Sequence, residues 1–167
     1  MPASPVVRLS IALLGVASPG CAPAPEPPPS AASATSVPTD QPATRLLSSV
    51  ISGYTEPAEE VIRDPAAWAS AWRRLHDANP ATALPEVDFD RSMVVLLALG
   101  ERSSGGHAVR FDELVRDGEG ATVRYTVTSP GPTCMSTQAI TSPVEVVRVA
   151  RVAGTVRFER RMVQQPC

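Results

Sequence analysis

Lysine is absent from this chain. All 15 basic residues are arginines, set against 17 acidic ones for a formal net charge of −2. Contact with a phosphate backbone needs a clustered basic surface, so no nucleic-acid partner is expected. Histidine is scarce, with only His76 and His107 present. They form no HExxH pair, and the cysteines show no Cys-x-x-Cys spacing, so no metal site is expected. Gly118-Glu119-Gly120 lacks the third glycine and the following helix of a dinucleotide loop, and no cofactor is expected. Beyond the N-terminal segment the longest apolar run, Met93 to Leu99, has the length of a strand and is too short to cross a bilayer.

That run is the stretch around which the chain is organised. It shows no alternation, which fits a strand covered on both faces, although a buried helix has the same pattern. The β-branched Val94 and Val95 and the terminating Gly100 favour the strand. Glu101 to Ser104 reads as a polar turn, and Gly105-Gly106 allows positive φ. His107 to Val115 then reads as a partner strand sent back along the first.

The 167 residues allow one ordinary domain and a surplus, and the surplus is N-terminal, because 10 of the 18 prolines precede residue 43. Residues 1–21 read as an export signal, with Arg8 ahead of the apolar Leu9 to Val16 and small residues up to Cys21. Two endings fit. Signal peptidase would cut after Ala17. Alternatively, Gly20-Cys21 resembles the end of a bacterial lipobox, which makes Cys21 a lipidation site and gives a membrane anchor; Ser18 and Pro19 depart from the lipobox pattern. Residues 22–44 are rich in Pro, Ala, Ser and Thr and are expected to be a disordered tether, a PxxP ligand being the other reading. Residues 45–167 remain for a globular domain with a single core. With Cys21 set apart, Cys134 and Cys167 are left as a pair. In an oxidising compartment they are expected to bond, closing a loop of roughly 30 residues worth about 3 kcal/mol. Two free buried thiols are the alternative.

Within the domain, Leu46 to Tyr54 reads as a first strand and Val61-Ile62 as a short apolar step. Asp64 is a good N-cap and Pro65 suits the first helical position. Trp68, Ala71, Trp72 and Leu75 make one apolar stripe, with Arg73, Arg74 and Asp77 facing away and Asn79-Pro80 as the stop. Asp117-Gly118-Glu119-Gly120 signals a hairpin turn, and Ala121 to Thr128 alternates as a half-buried strand. Val144 to Val152 and Thr155 to Val163 read as a hairpin about Ala153-Gly154. The predicted fold is α+β, a mostly antiparallel sheet of about six strands with one N-terminal amphipathic helix packed on it.

Catalytic signals are weak. Gly100 to Gly105 contains Ser103 and Ser104 with His107 nearby, but the spacing is one residue too long for Gly-x-Ser-x-Gly and no helix follows. Asp88, Asp90, Asp112 and Glu113 stand at strand ends and turns, where carboxylates are usually solvated. No catalytic residue is assigned, and the protein is expected not to be an enzyme. What remains is recognition: Arg102, Gly105, Gly106, His107, Ser136 and Gln138 are candidates for a binding rim, because Pro- and Gly-rich loops present groups at little ordering cost. The other reading is that these loops only connect strands and hold Cys134.

Several of these segments together resemble the protease complex subunit PrcB family, in its C-terminal domain, over roughly residues 48 to 167. They are the Trp68 and Trp72 helix; Val87-Asp88-Phe89 and Met93-Val94-Val95; Gly100, Arg102 and Gly105-Gly106; Ser129-Pro130-Gly131-Pro132-Thr133-Cys134; Ser142-Pro143-Val144; and the terminal strand with Cys167. His107 stands where the family often has an aromatic residue. The resemblance implies a non-catalytic, exported and often lipidated domain of the bacterial cell envelope. The family name implies an accessory role beside a secreted protease, hence a protein partner. A hydrolase using Ser103 or Ser104 with His107, and a small-ligand or protease-inhibitor domain, are the alternatives.

Overall fold

The structure, a computed structural model, describes residues 42–77 and 81–167. The expected export signal with Cys21, the expected tether up to residue 41, and the expected helix stop at Asn79-Pro80 fall outside the described residues. The elements are β1 (Thr44–Ser49), β2 (Pro57–Ile62), α1 (Pro65–Leu75), β3 (Ser92–Leu99), β4 (Ala108–Asp117), β5 (Gly120–Pro130), β6 (Val144–Ala150) and β7 (Val156–Gln165).

The α+β expectation, with one sheet of about six strands carrying a helix, is corrected. The protein is mostly β, its strands divided between a four-stranded sheet, β1-β6-β3-β2, and a three-stranded sheet, β4-β5-β7, with one short helix among the described residues. One reason is β2. Its sequence, Pro57-Ala58-Glu59-Glu60-Val61-Ile62, carries a proline and two glutamates, and only its last two residues look like strand. It pairs with β3 along its whole length as an edge strand, where a leading proline is tolerated, and its two glutamates accept from the Tyr125 and Tyr54 hydroxyls.

The other reason is that both expected hairpins cross between sheets. β3 already has β2 on one side and β6 on the other, so the chain after Gly100 has no edge to return to. It passes to the second sheet, where β4 pairs with β5 through a tight turn at Asp117 to Gly120. The segment about Ala153-Gly154 is likewise a crossover. Val152 is buried in the core, Gly154 N–H donates to the Glu119 carbonyl at 2.9 Å, and β7 pairs in parallel with β5. A Cβ on Gly154 would stand 2.5 Å from that carbonyl oxygen, so a glycine is required there.

β3 explains its own sequence. Every residue of it is buried. Val94, Leu96 and Ala98 share a cluster with Trp68, Ala71, Trp72 and Leu75 of α1 and with Val144 and Val146 of β6. Met93, Val95, Leu97 and Leu99 share the other with Val109, Val123, Tyr125 and Val127 of the second sheet. A strand with apolar contacts on both faces needs no polar alternation. The helix begins as its sequence suggests, with Asp64 accepting the Ala67 N–H at 2.8 Å. The indole N–H groups of Trp68 and Trp72 donate to the Pro85 and Thr82 carbonyls, at 2.9 and 3.2 Å, which anchors the segment leading into β3.

Candidate functional site

Strand directions gather the long connections at one end of the domain. β1, β3, β5 and β7 run out there, at Ser49, Leu99, Pro130 and Gln165, and β2, β4 and β6 start there, at Pro57, Ala108 and Val144. Residues 50–56, 100–107, 131–143 and the last two residues therefore lie together. Thr44, paired with Arg148 late in β6, marks the opposite end.

Hydrogen bonds knit the loops together. Arg102 and Thr141 exchange backbone bonds, with N–H to O distances of 2.7 and 2.9 Å. Gly105 N–H donates to the Thr137 carbonyl at 3.0 Å, and the Thr141 hydroxyl donates to the Ser104 carbonyl at 3.0 Å. Ser142 N–H reaches the Val50 carbonyl at 2.9 Å, while the Ser142 hydroxyl accepts the Ser52 N–H at 2.6 Å. Gly100 starts the crossing with φ of 72°, and a Cβ there would lie 2.7 Å from the Pro57 nitrogen. Cys134 and Cys167 are at disulfide distance, their Cα atoms 5.3 Å apart. This ties the end of β7 to the 131–143 loop, whose Gly131 N–H also donates to the Gln165 carbonyl of β7 at 3.1 Å.

All the candidate rim residues lie at this end, but they do not converge on one hollow. Gly106 and Ser136 line a concavity of about 600 Å³ beside Cys134 and Cys167. His107 lines a different one, of about 380 Å³, with Ser48, Ser49, Val50 and Pro143. Arg102 faces a third. Gln138 is exposed on the loop facing Gly105. Burial first, and then the Arg102 guanidinium, lower the His107 pKa below its ordinary 6.5. Among the described residues no hydrogen bond joins His107 to Ser103 or Ser104, and no group of three or more His, Cys, Asp or Glu side chains is placed to hold a metal ion.

Large apolar side chains are exposed at the same end. Ile51 and Ile140 are 66 % and 71 % exposed, Val50 beside Ile51 is also exposed, and Met135 is fully exposed. Met162 and Val163 are exposed where β7 runs toward the loops; Leu84 lies apart, in the segment before β3. Scattered exposed apolar residues are ordinary, whereas a group on adjoining loops marks a contact surface.

The third concavity escaped the sequence reading. It is a cleft of about 250 Å³ between the β2 and β7 edges, over Leu97, Leu99 and Val109, with Glu59, Tyr125, Arg102 and Arg160 around it. The Tyr125 hydroxyl donates to the Glu59 carboxylate. Burial, followed by that hydrogen bond and the Glu59 charge, raises the Tyr125 pKa well above its ordinary value of 10, so the phenol stays protonated as the donor. One signal was present in the sequence: Tyr125 occupies an inward position between Val123 and Val127, and a buried phenol needs a partner. Nothing local points to Glu59 or Arg160.

Residues 93–150, from β3 to the end of β6, match the family model described as PrcB C-terminal, which supports the resemblance read from the sequence over that stretch. Neither a curated protein nor a solved structure matches the chain.

Proposed function

From the PrcB C-terminal match over residues 93–150 we propose that this protein is a non-catalytic interaction domain of the bacterial cell envelope, associated with a protease complex. It is exported and held by its N-terminal segment, through lipid on Cys21 in the tethered form. It meets its protein partner, a secreted protease, with the loop-bearing end. The observation that carries this reading is the grouping of exposed Val50, Ile51, Met135 and Ile140 on interlocked loops, opposite the end where β1 begins. Such residues, ringed by polar groups, have the composition of an interface core with its rim.

Affinity capture tests it. The domain and its Ile51→Ser/Ile140→Ser variant are used as baits in envelope extract, and the retained fractions are assayed for proteolytic activity. The expected result is protease retained by the natural surface and lost from the variant, whose thermal unfolding is unchanged because both side chains face solvent. Absence of retained protease under mild conditions, or equal retention by both baits, overturns the reading. Labelling with palmitate in the producing cell, compared with Cys21→Ser, tests the anchor.

A further inference from the structure

We propose that the cleft between β2 and β7 recognises a carboxylate on an extended peptide, the peptide pairing with the free edge of β7 and its carboxylate meeting Arg102 and Arg160. The inference deepens the proposed function and rests on its interaction reading. β7 is the last strand of its sheet, so the edge away from β5 has no strand beside it among the described residues. From Glu159 to Gln165 every residue of β7 is exposed. Natural edges are usually kept short, bulged or covered. This one is regular along its pairing with β5, from Val156 to Gln165, and its end is fastened through Cys167. A fixed open edge suits strand addition, in which main-chain bonds supply affinity and a neighbouring pocket reads a side chain.

The cleft supplies that pocket, and its charges name the ligand. Neither Arg102 nor Arg160 has a side-chain hydrogen bond or ion pair among the described residues, whereas Arg45, Arg110 and Arg124 are each ion-paired. Glu59, the one carboxylate around the cleft, is engaged by the Tyr125 hydroxyl. Two arginines against one carboxylate leave the cleft positive in a chain whose formal net charge is −2. Alternation along β7 completes the picture. Phe158 and Arg160 share the inward face, while Glu159 and Arg161 face outward, bonded to Arg124 and Thr126. A peptide beside β7 would lay one of its own inward side chains over the apolar floor, within reach of both free guanidiniums. A planar guanidinium matches a carboxylate well. That carboxylate belongs either to an Asp or Glu side chain or to the peptide's C-terminus.

Fluorescence anisotropy with the full chain decides it, using labelled heptapeptides of alternating valine and threonine. One carries a central glutamate and an amidated C-terminus, the second is its glutamine twin, and the third is neutral with a free C-terminal carboxylate. At least one carboxylate probe is expected to bind about tenfold or more tighter than the glutamine twin, as charged hydrogen bonds allow. The probe that does so identifies the source of the carboxylate. Arg102→Gln with Arg160→Gln should abolish the preference, and Arg161→Gln, on the outward face, should keep it. N-methylation of alternate peptide amides should weaken binding in one register only. No binding, equal binding of all three probes, a preference that survives the double variant or is lost in Arg161→Gln, or indifference to N-methylation in both registers overturns the inference. Failure of the probes with protease capture intact removes the cleft and leaves the proposed function. Probe binding without protease capture does the reverse.

Discussion

Glu145 of the four-stranded sheet accepts the Phe111 N–H of the three-stranded sheet, at 2.5 Å. Its other carboxylate oxygen accepts from Arg45 Nε, also at 2.5 Å, although Glu145 is only 1 % exposed. β4 is an edge strand of its sheet, its pairing with β5 slips between Phe111 and Glu113, and Glu145 satisfies the Phe111 N–H. A buried charge inside a valine-rich strand thereby becomes a clamp between the sheets. Glu145→Ala is expected to cost about 1–3 kcal/mol, because it leaves the Phe111 main-chain donor without its partner. Arg45→Ala should cost less, since the Arg45 side chain is 57 % exposed and water can replace part of its contact. Chemical denaturation of the two variants checks the order, and equal small losses would remove Glu145 as a clamp.

Two glycines with positive φ should respond differently to alanine. Gly100 and Gly118 have φ of 72° and 59°. A Cβ at Gly100 would come within 2.8 Å of the Thr55 carbonyl oxygen, while at Gly118 it meets nothing within 4 Å. Gly118→Ala should cost only the backbone strain, about 1–2 kcal/mol. Gly100→Ala should cost clearly more and disturb the loop end, because main chain must move. Thermal unfolding, with amide spectra of residues 50–57, distinguishes them.

The Cys134–Cys167 pair is expected to be oxidised. Its sequence separation of 33 places the stabilisation at about 3–4 kcal/mol in the chain-entropy model. A thiol assay without reductant should find neither cysteine reactive. After reduction, or in Cys167→Ser, amide exchange should rise first between Glu159 and Gln165, which are exposed throughout and lose their fastening. Two reactive thiols in the untreated protein would refute this.

His107 offers a pH dependence with a definite sign. Burial and Arg102 hold its folded pKa below the ordinary 6.5. Between the two values the unfolded chain binds more protons, so the favourable contribution is fully present above about 6.5 and is lost as pH falls through the folded pKa. An NMR titration should give a His107 midpoint below 6.5 that rises in Arg102→Gln. A midpoint at or above 6.5 in the natural protein contradicts the placement of these two side chains.

Sequence alone determined the features that depend on neighbours along the chain. The Asp64 cap and the tryptophan stripe are visible because helical periodicity and capping are local. The Asp117 to Gly120 turn and the two-sided burial of Met93 to Leu99 are visible for the same kind of reason: a turn type and an unbroken apolar run constrain only the residues that carry them. With Cys21 set apart, Cys134 and Cys167 remain as the candidate pair, two free thiols being the other reading. Strand partners could not be read in this way. β3 and β4 adjoin in sequence, as do β6 and β7, yet each pair separates into different sheets, because a strand's edges are filled by whichever segments the whole core brings to them. The same holds for the sites. Glu145 meets Phe111, and Tyr125 meets Glu59, across 34 and 66 residues of sequence. The loops that carry Arg102, Ser136 and Ile51 come together only because seven strands alternate in direction. Those encounters are set by long-range packing, and tertiary structure alone decided them.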